Sequence, residues 1–108
     1  MGVLRYVVLH HTGIERPHYD LMVEFESGSA LLTWRLPHWP PQQNDEFTPL
    51  AKHRRDYLEY EGPVAGDRGS VKRIAAGDHR ILESSPTRII IGLGDGTRIE
   101  LPLKTGRA

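Results

Sequence analysis

Apolar positions in this chain recur in short runs with a period of two, separated by turn residues. Residues 3–9, Val-Leu-Arg-Tyr-Val-Val-Leu, are rich in β-formers and too short for a helix, so they predict a buried strand. Thr12-Gly13 breaks this strand, and Pro17 lacks a backbone donor and pins the chain before the next one. That second strand is expected over residues 18–26. Alternate side chains of a strand share a face. His18, Asp20, Met22 and Glu24 therefore fall on one side, and Tyr19, Leu21, Val23 and Phe25 on an apolar other side. The pattern predicts a half-buried strand. Ser27-Gly28-Ser29 reads as a hairpin turn. A third strand over 30–36 places Leu32, Trp34 and Leu36 on one face and Leu31, Thr33 and Arg35 on the other. Three strands so tightly joined make an antiparallel meander.

Residues 37–49 break every period with prolines and polar residues and are expected to form a loop. Residues 51–61 fit two patterns: Lys52 to Asp56 suits a helical turn, and Tyr57 to Tyr60 alternates like a strand. Four further strands are expected over 70–75, 79–83, 87–93 and 97–103, with hairpins at Gly77-Asp78 and Gly94-Asp95-Gly96. Short strands at regular spacing predict an all-β sandwich or barrel with at most short helical turns. The tail, residues 104–108, is expected to fray.

Composition narrows the class. A chain of 108 residues is long enough for one core, so residues 1–108 are read as a single domain. Hydrophobic content of 38% and charged content of 26% are those of a soluble globular protein. Fourteen basic and fourteen acidic residues cancel, so a polyanion would have to be held by a local cluster. The absence of cysteine excludes disulfides, a thiolate metal site and a Cys nucleophile. No run resembles a signal peptide or spans a membrane, so a cytoplasmic location is expected.

Candidate chemistry gathers in two stretches. His10, His11, His18 and Asp20 bring three imidazoles and a carboxylate together within eleven positions. His18 and Asp20 share a strand face, and a hairpin would bring His10 or His11 alongside. Imidazole with carboxylate suits Mn, Zn or Fe(II) better than Mg or Ca. The second stretch, His53-Arg54-Arg55-Asp56-Tyr57, follows a long loop and carries donors suited to phosphate oxygens. Gly62 to Ser70 lacks the Lys-Ser/Thr of a P-loop, and Gly92 to Gly96 is a hairpin rather than a dinucleotide fingerprint. His38 and Trp39 sit among prolines as exposed candidates, whereas Trp34 alternates with core positions. No Gly-x-Ser-x-Gly elbow is present.

Taken in order, these blocks resemble the phosphoesterase domain at the N-terminus of bacterial DNA ligase D, and more closely its small standalone relatives. The resemblance covers roughly residues 5–76. It rests on the apolar strand ending in His, His18-Tyr19-Asp20 with Glu24, Thr33-Trp34-Arg35-Leu36-Pro37, His53-Arg54-Arg55-Asp56-Tyr57, Tyr60-Glu61-Gly62 and Gly69-Ser70-Val71. It implies a compact, mostly antiparallel β-barrel. It also implies a Mn-dependent 3′-phosphoesterase, diesterase and monoesterase, that removes 3′-phosphates and 3′-terminal ribonucleotides in DNA repair. Carried over, His18 and Asp20 match metal ligands, with His11 as the third and His10 as the alternative to it. His53 matches a His that contacts the phosphate and Tyr57 a Tyr of the same pocket, and both are expected to be catalytic; outside the match, Arg35, Arg54 or Arg16 is expected to serve as a further phosphate donor. The implied cofactor is a divalent metal, Mn preferred, with Zn or another transition metal as substitutes. Nucleic-acid 3′ ends and DNA end-joining proteins are the implied partners, and a monomer away from membranes is expected.

The chain departs from the family in two places. Met22 stands where the ligase-fused enzymes carry a phosphate-gripping Arg, and methionine neither donates a hydrogen bond nor carries charge. The family's acidic N-terminal segment has no counterpart before the first strand. Two alternatives follow: a catalytically degenerate module that binds nucleic-acid ends or proteins, or an interaction protein whose histidines are surface groups.

Overall fold

One curled antiparallel sheet forms the protein. The structure, a computed structural model, describes residues 3–103. Its strands are β1 (Leu4–Thr12), β2 (His18–Glu24), β3 (Leu31–Leu36), β4 (Thr48–His53), β5 (Gly62–Pro63), β6 (Ser70–Ser84), β7 (Arg88–Leu93) and β8 (Arg98–Pro102). A single 3₁₀ turn, Arg55–Leu58, is the one helical element among the described residues. The strands lie in the order β4-β3-β2-β1-β6-β7-β8, with β5 alongside β6. The all-β expectation holds, as a half-barrel. The predicted tail lies outside the described residues, and no helix among those described is long and apolar enough to cross a membrane.

The curl follows from where the large apolar residues sit. Val8, Leu21, Val23, Trp34, Leu36, Ile89, Ile91, Ile99 and Leu101 form one buried cluster that joins β1–β3 to β7 and β8. Each such side chain removed from water contributes about 1.5–3 kcal/mol. Strand β3, next to one edge, is bridged to β8 at the other by the indole of Trp34, whose Nε1–H donates to the Pro102 carbonyl at 2.6 Å. Trp34 is core, as its alternation with Leu32 and Leu36 implies.

A second cluster lies on the other face: Val7, Leu9, Met22, Leu31, Leu58 and Val71. Leu58 comes from the 3₁₀ turn, which folds over the sheet beside Tyr57 and Val64. Strand β2 is consequently buried on both faces, not one. Its polar positions look under a lid that the strand's own pattern does not reveal.

Three element boundaries differ from expectation. Strand β1 continues through His10 and His11, which pair with β2 and β6 at once, to Thr12, which pairs with β6. Strand β4 falls where a loop and an ambiguous segment were expected. Pro49 is tolerated there because β4 is an edge strand with one partner. The hairpin expected at Gly77-Asp78 does not form. Strand β6 runs unbroken for 15 residues, pairing with β1 as far as His79 and with β7 from His79 onward. Gly77 makes room there: a Cβ on it would lie 3.2 Å from the Tyr6 ring.

Two bulges let this long strand bend. Ile74 is skipped between the pairs Val8↔Ala75 and Leu9↔Arg73, and Leu82 between Ile81↔Ile91 and Glu83↔Ile90. These two residues, 42% and 48% exposed, are among the few large apolar side chains facing solvent. Each is the extra residue of a bulge, so its exposure follows from the bend.

Candidate metal centre

Register places the candidate ligands. His11 pairs with His18, and Leu9 with Asp20, across the β1–β2 ladder. His18 and Asp20 alternate on β2, so all three polar side chains emerge at one end of the face that holds the second cluster. One ligand-type atom from each of His11, His18 and Asp20 lies within 4.8 Å of the others. His10 points to the opposite face and stacks on Tyr19, with ring centroids 4.4 Å apart and planes 12° apart. The alternation of the strand thus brings His11 to the site and takes His10 away from it.

The site is buried and incompletely bonded. His18 is 8% exposed and Asp20 5%. His18 Nε2 and Asp20 Oδ1 stand 3.5 Å apart, and neither makes a hydrogen bond. A buried polar atom without a partner costs about 1–3 kcal/mol. Burial pushes the Asp20 carboxyl above its ordinary range, against the pull of His18, Arg35, His11 and His53. The chemistry of this donor set fits a divalent transition ion: two imidazoles and one carboxylate converge, and His18 and Asp20 each keep a buried atom without a partner.

Backbone carbonyls decide which ring atoms are free. His18 donates its Nδ1–H to the Arg16 carbonyl at 2.9 Å, and His11 its Nε2–H to the Arg68 carbonyl at 2.7 Å. A carbonyl can only accept, so each neutral ring keeps its lone pair on the other nitrogen. This is the arrangement by which metal-ligating histidines are oriented. The two carbonyls escape sequence reading, because any residue could supply them.

Around the triad, Arg35 sits opposite Asp20 on β3 and is exposed. His53, the last residue of β4, donates Nδ1–H to the Ala51 carbonyl at 2.9 Å. Its ring meets Tyr57 edge-on, with centroids 5.6 Å apart. Tyr57 meets Tyr60 in the same manner at 5.9 Å. Arg54, Tyr57, Tyr60, Pro63 and Val64 line a cavity of about 440 Å³ beside them. Of the sequence-predicted phosphate residues, Arg54 and Tyr57 line this cavity, His53 adjoins it only through its edge-on contact with Tyr57, and Arg35 lies on the sheet beside Asp20.

Other groups hold the frame. Met22, 2% exposed, is packed among Leu9, Leu31 and Leu58. Arg55, which the sequence grouped with the phosphate donors, is instead bonded to the Glu24 carboxylate and, at 3.0 Å, to the Ser29 carbonyl. His38 pairs with Asp45 at 3.0 Å, and Trp39 packs against the first cluster, so both stiffen the 37–47 loop. No protein-family model and no curated protein matches this chain.

Proposed function

We propose that this protein is a metal-dependent phosphoesterase acting on 3′ ends of nucleic acid, removing a 3′-phosphate or a 3′-terminal ribonucleotide. The observation that carries the reading is the pair of buried, unpartnered atoms, His18 Nε2 and Asp20 Oδ1, facing His11. A site this dry with two unsatisfied acceptors favours a cation. The donor set suits Mn, Zn or Fe(II), and among these the resemblance implies Mn²⁺, with Zn²⁺ as a substitute.

In this reading His11, His18 and Asp20 hold the ion. When bound, such an ion supplies Lewis-acid polarisation of a phosphoryl oxygen and acidifies water. His53, with Nδ1 tied to Ala51, has Nε2 free to face a phosphate. As imidazolium it stabilises charge on the phosphoryl oxygens or protonates the departing oxygen. The Tyr57 hydroxyl donates to the same phosphate. Arg35 and Arg54 supply the guanidinium charge that Met22 cannot.

A second reading rests on Met22 itself. Because that side chain is part of an apolar cluster, the same site with a weaker phosphate grip would bind 3′ ends without turnover, alone or with DNA end-joining proteins.

Thermal unfolding in metal-stripped buffer, with and without Mn²⁺, tests the site. At a hundredfold excess over Kd the ion should stabilise the wild type by about 2.7 kcal/mol, a rise of roughly 10–20 °C for a domain of this size. His18→Ala should show no rise and no release of phosphate or nucleoside from 3′-phosphate and 3′-ribonucleotide primers. Activity retained by His18→Ala would sink the assignment, and primer binding by the wild type without turnover would select the second reading.

A further inference from the structure

Two loops that are distant in sequence cross at the edge of the candidate metal centre, backbone against backbone. Gly13, which follows β1, has φ +75°, and Gly69, which precedes β6, has φ +74°. Both lie in the left-handed region that disfavours a side chain. A Cβ on Gly69 would stand 2.1 Å from the Thr12 carbonyl oxygen and 3.0 Å from Ile14 Cγ2. A Cβ on Gly13 would stand 3.1 Å from Gly69 Cα. The contact therefore admits only glycine at position 69. The residue next to this crossing is Arg68, whose carbonyl accepts from His11 Nε2. The turn that carries it is closed on itself by Val64 N–H to the Gly69 carbonyl, 2.8 Å, and Arg68 Nε–H to the Ala65 carbonyl, 2.8 Å.

We propose that Gly69 is a positioning residue for the metal centre: the Gly13–Gly69 crossing sets the Arg68 carbonyl against His11 and so makes Nδ1 of His11 the ligand atom. His18 is held the opposite way, with Nδ1–H on the Arg16 carbonyl and Nε2 free. The two imidazoles thus address the ion through different nitrogens. Loops on either side of the crossing carry the two carbonyls, Arg16 after Gly13 and Arg68 before Gly69. The His18 contact is local, two residues apart, so the crossing governs His11 and not His18. The assignment of ligand atoms rests on the metal-site reading above, whereas the control of the His11 tautomer by the crossing does not.

Long-range ¹H–¹⁵N spectra of the metal-free protein read the tautomers directly. His11 should appear as the Nε2–H form and His18 as the Nδ1–H form. Mn²⁺ titration of His11→Asn and His11→Gln then reads the ligand atom, since an Asn amide oxygen reaches the Nδ1 position and a Gln oxygen the Nε2 position. Asn should retain measurable Mn²⁺ binding and Gln should not. Gly69→Ala, where it folds, should weaken Mn²⁺ binding by about 10–100-fold, the cost usual for losing an outer partner of a metal histidine. It should also shift the His11 signals and leave those of His53 in place. An Nδ1–H signal for His11, tighter binding by the Gln variant than by Asn, or a folded Gly69→Ala that binds Mn²⁺ like the wild type each overturns the proposal. If Gly69→Ala does not fold, the tautomer signals and the Asn/Gln pair decide. A wild type that shows the Nε2–H signal yet binds no Mn²⁺ sinks the phosphoesterase reading and leaves the crossing's control of His11 supported.

Discussion

Strand β2 carries two buried carboxylates on one face, Asp20 and Glu24, and they are treated in opposite ways. Glu24, 2% exposed, is fully engaged: it accepts from Arg55, from the Arg5 backbone N–H at 2.8 Å and from the Gly28 N–H at 3.4 Å. Burial alone would raise its pKa, but these donors outweigh it and hold the carboxyl below its ordinary value. Asp20, 5% exposed, receives no such donors at Oδ1, and burial raises it. The same residue chemistry, four positions apart, is a closed structural joint in one place and an open donor in the other. Unsatisfied burial is a cost that selection removes unless something else occupies the gap. The contrast is why Asp20, and not Glu24, is read as a ligand.

The comparison breaks most visibly at the joint. Glu24→Gln places an amide against the Arg55 guanidinium and should cost about 3 kcal/mol, the low end for breaking a buried pair because Arg55 is partly exposed. Urea unfolding measures this, and the folded variant should bind Mn²⁺ as the wild type does. Lost metal affinity in a folded Glu24→Gln would tie the joint to the site and blur the distinction. Asp20→Asn should do the reverse. The metal-free variant should be no less stable than the wild type at pH 7, since a desolvated charge has been removed, while the stabilisation by Mn²⁺ disappears. A metal-free Asp20→Asn as unstable as Glu24→Gln would make Asp20 a second structural carboxylate.

Acidification sharpens the same contrast with a smaller effect. His79 is buried, donating Nε2–H to the Glu24 carbonyl at 2.8 Å, and burial depresses its pKa below 6.5, against the pull of Glu24 and Asp78. A depressed group lends stability that is complete above its unfolded pKa and is lost as the pH falls through the folded one. Stability should therefore decline first below about pH 6.5 through His79, and again below about 4.5 through Glu24. Asp20 has the opposite sign. Its raised pKa makes the metal-free site least costly below 3.8 and more costly as the pH rises through the folded value. Urea midpoints between pH 7.5 and 5.5 should show a slope in the wild type that is flatter in His79→Gln; equal slopes would remove His79 from this account.

Much of this was legible along the chain, because period-two alternation is local. The positions of β1, β2, β3, β7 and β8, the turns after β2 and β7, the burial of Trp34 and the shared face of His18 and Asp20 follow from which side of a strand each residue occupies. The same rule distinguishes His11 from His10 once register is known, but register depends on where β1 ends. The sequence misplaced that end, because β1 is extended by pairing on both sides. Tertiary structure alone decided the rest. Gly77-Asp78 has hairpin residues yet lies in a continuous strand, because β1 and β7 pair with successive parts of β6 and Tyr6 packs on the glycine. The polar face of β2 is buried because Leu58, 34 positions after Glu24 in the chain, covers it. Arg55 is an anchor rather than a phosphate donor because that covering turn brings it to Glu24. The carbonyls of Arg16 and Arg68, which orient the candidate ligands, belong to the backbone and have no signature in residue identity. By itself the sequence determined the alternation of faces and the supply of ligand chemistry; long-range pairing and the crossing of two loops decided which of those groups meet, are buried and are left without a partner.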